Sequence, residues 1–263
     1  MWTWLLAIPA LAALGYLIAL LWVFLYQRKL QYRPSHRDAS GAGNDTFRPW
    51  RSADAFLGYV RPVEEPRRAV LFFHGNGGEA LDREWMDELV PRQVLLLLAE
   101  YPGFGARPGA ISESELLRAS EALFEEIRRT WGDIPVTVVG ESLGSAVACY
   151  VAARKKADRL ALISPFPSAV DVVSRRYPYF PLRWILKDKF PAAQYVRGAG
   201  VPLYVLHGTL DQVIPMELGR KLYSAYDGPK KEFTEIPGFG HNQMDFAVLH
   251  SPFAEGFRAF IEK

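Results

Sequence analysis

In Gly140-Glu141-Ser142-Leu143-Gly144, residue types and spacing first suit covalent chemistry. A serine with a glycine two positions away on either side can occupy a tight strand-to-helix turn, because neither glycine carries a side chain to clash there. The Ser142 hydroxyl then projects into a cleft, and the N–H of Leu143 at the helix start faces the place where an oxyanion forms. The pattern alone is weak, arising by chance in roughly one chain in ten of this length. Its bland alternative is that Ser142 is a plain helix N-cap.

A serine hydroxyl attacks well only when a base takes its proton, and a histidine base needs a carboxylate to fix its tautomer. The stretch Leu203–Leu206 reads as a strand and leads into His207-Gly208-Thr209-Leu210-Asp211; the last strand leads into Pro237-Gly238-Phe239-Gly240-His241-Asn242. Asp211 and His241 therefore follow Ser142 in the order nucleophile, acid, base, each in a loop after a strand. Asp171, Asp227 and Asp245 are rival acids less well placed, and read as surface charges. His36 falls in a linker and His250 in the C-terminal helix, while His74 and His207 precede the acid and read as hydrogen-bonding groups of their own loops. The glycine-rich loop His74-Gly75-Asn76-Gly77-Gly78 supplies a second oxyanion donor, assigned to the N–H of Asn76. Phosphate binding is the competing role for these glycines. It fits poorly, since no Lys-Ser/Thr pair follows and the GxGxxG spacing is absent.

These loops need a scaffold. Ala69–Phe73, Val94–Ala99, Val136–Val139, Leu160–Ser164, Leu203–Leu206 and Glu232–Ile236 are short, β-rich runs, and several are apolar without alternation. Such strands are buried on both faces. Helical stretches follow them at Glu79–Val90, Ser112–Trp131 and Leu143–Lys155, the second opening on Ser112 and Glu115 at capping-box spacing. Strand–helix repetition of this kind predicts an α/β fold with a doubly wound, mostly parallel sheet and its chemistry beyond the carboxyl ends of the strands. Residues 165–197 break the rhythm with five prolines and seven aromatics among basic residues, and read as a short cap insertion.

The N-terminus is different in kind. No charge occurs from Trp2 to Tyr26, and Arg28 is the first. That run exceeds the roughly 20 apolar residues needed to cross a bilayer. Trp2 and Trp4 at one end and Trp22 and Tyr26 at the other suit interfacial anchors. A cleaved leader is disfavoured by the missing basic n-region and cleavage site, and a core helix by apolar character on every face. The expected organisation is a transmembrane anchor over 1–27, a linker over 28–54 and a catalytic domain over 55–263. Arg28, Lys29, Arg33 and Arg37 after the span favour a single-pass protein with its domain on the cytoplasmic side.

Composition narrows the partners. A net charge of +2 and the lack of a basic block argue against nucleic acid. Cys149 is the only cysteine, and the five histidines form no metal-ligand pattern. No metal or cofactor is expected, and oligomeric state is not readable.

Taken together, the motifs resemble those of membrane-anchored α/β-hydrolases related to bem46 and to the α/β-hydrolase domain-containing proteins 13 and 17. The resemblance covers about residues 30–262 and rests on His74–Gly78, Tyr101-Pro102-Gly103-Phe104-Gly105, Gly140–Gly144, His207–Asp211 and Gly238–Asn242 in that order. It implies a Ser–Asp–His triad, no cofactor, an N-terminal anchor and a short cap. Departures at Ala99-Glu100 and Ala106-Arg107 do not touch the triad. The expected activity is serine hydrolysis of ester, thioester or amide bonds in small or lipid-like acyl substrates. A peptidase of the same fold and a non-catalytic binding scaffold are the alternatives.

Overall fold

Strands with no polar face build the centre of the molecule. In the computed structural model, which describes residues 3–36, 40–243 and 253–262, Ala69–Phe73 and Leu95–Ala99 are buried at every position. Eight strands form the main sheet: β1 (Arg48–Ser52), β2 (Ala55–Arg61), β3 (Ala69–Phe73), β4 (Leu95–Ala99), β5 (Val136–Glu141), β6 (Arg159–Ile163), β7 (Leu203–Gly208) and β8 (Lys231–Ile236). Their spatial order is β8-β7-β6-β5-β3-β4-β2-β1. From β8 through to β4 all neighbours run parallel, while β2 is antiparallel to β4 and β1 to β2. The sheet is thus mostly parallel, as the uninterrupted apolar runs require.

Helices cover both faces, and one apolar cluster fills each interface. Besides the single turn Met86–Leu89, the α-helices among the described residues are α1 (Thr3–Gln31), α2 (Glu113–Trp131), α3 (Leu143–Arg154), α4 (Ala169–Arg176), α5 (Leu182–Ile185), α6 (Ala192–Arg197), α7 (Met216–Ala225) and α8 (Phe253–Glu262). Ser112 caps α2 by accepting from Glu115 N, as the spacing predicts. The inserted segment forms α4, α5 and α6, short helices punctuated by the prolines seen in sequence.

Two expectations change. Glu79–Val90 is not one helix but two single turns, Ala80–Arg83 and Met86–Leu89. Ala80 N is drawn away to the Glu100 carboxylate at 3.0 Å, which fixes the first turn to the loop after β4. The second concerns residues 28–54. Helix α1 runs on to Gln31, Arg33–Pro34 pairs with Gly77–Gly78, and Arg48–Ser52 is the edge strand of the sheet. Turn-forming and polar residues hid these short pieces; Arg33–Pro34 finds its partner far away in sequence, and Arg48–Ser52 pairs with the adjacent Ala55–Arg61. Trp2, Arg37, Asp245 and His250 lie outside the described residues, as does the side chain of Trp4.

Candidate active site

Ser142 stands at the junction of β5 and α3 with φ 52° and ψ −117°, a conformation that non-glycine residues rarely adopt. The turn is tight enough to dictate its neighbours. A Cβ at Gly140 would lie 2.2 Å from Gly144 O, and one at Gly144 would lie 2.1 Å from Phe73 O. Although Ser142 occupies the N-cap position, its side chain makes no capping bond. The plain N-cap reading of this serine therefore does not describe it.

The hydroxyl instead faces His241, whose Nε2 is 3.0 Å from Ser142 Oγ. On the other side of the ring, Nδ1 lies 2.7 Å from Asp211 Oδ2. An ionised carboxylate only accepts, so Nδ1–H donates to Asp211 and Nε2 is left to accept from the serine. Asp211 Oδ1 accepts from the N–H groups of Val213 and Ile214 at 3.0 and 2.7 Å. Burial opposes ionisation of this carboxyl. Hydrogen bonds from His207 and His241, the charge of the latter and the Ile214 N–H outweigh it, holding Asp211 well below the usual carboxylate range. The loops bearing acid and histidine are themselves tied, Leu210 N donating to Phe239 O at 2.9 Å and Gly238 N to Thr209 Oγ1 at 3.0 Å.

The loop after β3 passes beside the serine: a Cβ at Gly75 would be 3.5 Å from Ser142 Cβ. Asn76 Nδ2 donates to Gln31 O at 2.7 Å, and Asn76 O accepts from Arg33 N at 2.9 Å. Leu143 opens α3, so its N–H is one of the donors a helix start leaves without an intrahelical partner. Asn76, Ser142 and Leu143 share the wall of one cavity of about 650 Å³, roofed by apolar residues of the cap and of α1. That volume is in the range of small-molecule sites. All five residues singled out in sequence are thus gathered at one sheet edge. Of the rival acids, Asp171 pairs with Lys221 on the cap and Asp227 is exposed.

A family model described as the alpha/beta hydrolase fold matches residues 68–193. An uncharacterized protein of Mycobacterium tuberculosis is 31% identical over 250 residues, covering 91% of this chain and 88% of that one. The chain belongs to the α/β-hydrolase fold family. Lysophosphatidylserine lipase ABHD12 of Macaca fascicularis is 28% identical to this α/β-hydrolase-fold chain, over 77% of it and 55% of the lipase. Among solved structures, an esterase of Pyrococcus furiosus aligns with a TM-score of 0.66 at 15% identity, covering 88% of this chain and 98% of that one, a likeness of fold.

Within the α/β-hydrolase framework, His207 and His74 hydrogen-bond in their strand-end loops as expected from sequence, whereas the contact of Arg83 was not expected. His207 is fully buried, with Nε2 2.8 Å from Ile214 O and 3.4 Å from Asp211 Oδ2, so it braces the acid from behind. His74 points Nδ1 at Gly75 O, 2.8 Å away, and Nε2 at Glu100 Oε1, 3.0 Å away, pinning the glycine loop to the loop after β4. Arg83 Nε donates to Glu141 Oε2 at 2.7 Å, gripping the serine pentapeptide from outside. The contacts of His74 with Glu100 and of Arg83 with Glu141 join segments distant in sequence, and no spacing rule signals such pairs.

Proposed function

We propose that this protein is a serine hydrolase that cleaves ester, thioester or amide bonds of lipophilic acyl substrates, held at a membrane by α1. The observation that carries the reading is the continuous contact from Asp211 through His241 to Ser142 Oγ. In the proposed reaction, Ser142 Oγ attacks the acyl carbonyl while His241 Nε2 takes its proton. Asp211, kept ionised, stabilises the imidazolium that results. The N–H groups of Asn76 and Leu143 receive the oxyanion. His241 then returns the proton to the leaving group, and water releases the acyl group from Ser142 by the same steps in reverse roles.

The lipophilic preference is supported by the apolar cavity roof and by the name of a relative, lysophosphatidylserine lipase. Membrane attachment is supported by α1, in which Ala7–Gln31 is long and apolar enough to span a bilayer. Leu11, Leu17, Leu21 and Leu25 are each more than half exposed. Water would face a large continuous apolar patch there, and lipid removes that cost. Basic residues after the helix favour the cytoplasmic side for the domain.

The test is covalent labelling. A fluorophosphonate should label the full-length protein but not Ser142→Ala, and only the former should hydrolyse p-nitrophenyl esters. Labelling that survives Ser142→Ala would place the nucleophile elsewhere.

A further inference from the structure

Helix α1 does more than leave the domain. Its last turns lie against the cap, and buried polar groups fix its register there. Gln27 is only 4% exposed. Its Nε2 donates to Ile185 O at 3.1 Å, and its Oε1 accepts from Lys187 N at 2.6 Å. One residue on, Arg28 Nε donates to Asp188 Oδ2 at 2.8 Å, and Tyr32 OH donates to the same oxygen at 3.1 Å. Further up, Tyr16 OH donates to Tyr179 O at 2.7 Å. A simple tether would need none of these contacts. Two helical turns separate Tyr16 from Val23, and between the polar fixings the helix turns Ala19, Trp22, Val23 and Leu30 towards the cavity that holds Ser142. Facing them are Val172, Val173, Phe180 and other apolar residues of α4 and its surroundings.

We propose that α1 is one wall of the acyl-binding site, and that Ala19, Trp22 and Val23 set the length of acyl chain the site takes. This inference rests on the serine-hydrolase reading above. The occupant is a single flexible acyl chain lying between α1 and the cap with its carbonyl at Ser142. Apolar side chains dominate the walls formed by α1 and the cap, while the polar lining residues Gln31, Arg33 and Asn76 are bonded together next to the loop that passes Ser142. Such a gradient suits an amphiphile with its ester at the polar end. The chain must pass α1 to be accommodated, so bulk added to the inner face of α1 shortens the groove. Each methylene denied burial weakens transition-state binding by about fourfold.

The experiment compares p-nitrophenyl butyrate with p-nitrophenyl myristate on the full-length protein in detergent. Ala19→Trp and Val23→Trp each place an indole on the inner face. Leu21→Trp and Leu25→Trp place one on the exposed face, at residues outside the cavity wall. The expected result is a fall of about tenfold or more in the myristate-to-butyrate ratio of kcat/KM for the inner-face variants. The exposed-face variants should keep the wild-type ratio. Equal ratios in all five proteins overturn the inference while leaving the hydrolase reading intact. A wild type that hydrolyses neither ester overturns that reading, and the inference with it.

Discussion

Ser142 Oγ and His241 Nε2 lie 3.0 Å apart across 99 residues of sequence. The serine rides on a strained turn held by β5 and α3, whereas the histidine reaches it from a loop held mainly by the neighbouring acid loop. His241→Ala should therefore leave the sheet intact and remove the base. We expect kcat for ester hydrolysis to fall by about 10⁴-fold or more, with little change in KM. Steady-state kinetics on a p-nitrophenyl ester would decide this, and a loss confined to KM would contradict the assigned role.

Asp211, the acid of the proposed triad, also bears on acid stability. Its carboxyl titrates below the ordinary value of about 3.9, so the ionised form favours the folded state. The stabilisation is complete at pH well above the unfolded value and is lost as pH falls through about 4 towards the folded one. Thermal unfolding of wild type and Asp211→Asn should show a gap that is constant between about pH 6 and 8 and narrows below about pH 4. A gap that widened on acidification would reverse the sign and exclude Asp211 as the ionised partner.

The two glycine loops should respond unequally to a methyl group. At Gly144 the added Cβ meets the backbone oxygen of Phe73, whereas at Gly77 the nearest atom is Arg33 O at 3.9 Å. Gly144→Ala is expected to cost about 3 kcal/mol and Gly77→Ala less than about 1 kcal/mol. Denaturant midpoints would rank them, and similar values for both would show that the serine turn relaxes freely.

Arg28 and Asp188 should also prove unequal. The arginine side chain is 47% exposed and the aspartate 4%. Removing the arginine strands a buried carboxylate with only part of its hydrogen bonding, while removing the aspartate leaves a guanidinium that water can reach. Arg28→Met is thus expected to lower the unfolding temperature in detergent more than Asp188→Asn, and the double variant less than the sum of the two. An additive cycle would mean that the pair contributes no coupling.

Sequence reasoning reached the strands that carry the candidate site because each is a short run closed by glycine or proline, apolar in all but β8, which holds three charged residues. It reached Ser142, Asp211 and His241 because parallel strands send their following loops to one edge of the sheet. The edge strand Arg48–Ser52 was hidden for the opposite reason. It holds a proline and two arginines, and only Trp50 is buried. Gln27 was likewise passed over, since one amide at the end of an apolar run reads as its polar flank. What makes it structural is Ile185, a residue of the cap 158 positions away. The brace of His207 on Asp211 is of the other kind, an i, i+4 contact inside one loop, where sequence reasoning placed a hydrogen-bonding histidine.

The bond from Tyr16 to Tyr179 also bears on the proposed membrane attachment. The apolar span Ala7–Gln31 runs on past Tyr16 to the turns of α1 that hold the cap. A bilayer that took up this whole span would reach past the level of Tyr16 and receive the tip of the cap as well. Tyr179 and Trp184 are 86% and 78% exposed at that tip. On this geometry the protein would not stand above the lipid on a stalk but float in it up to the cap, with aromatic rings at its waterline.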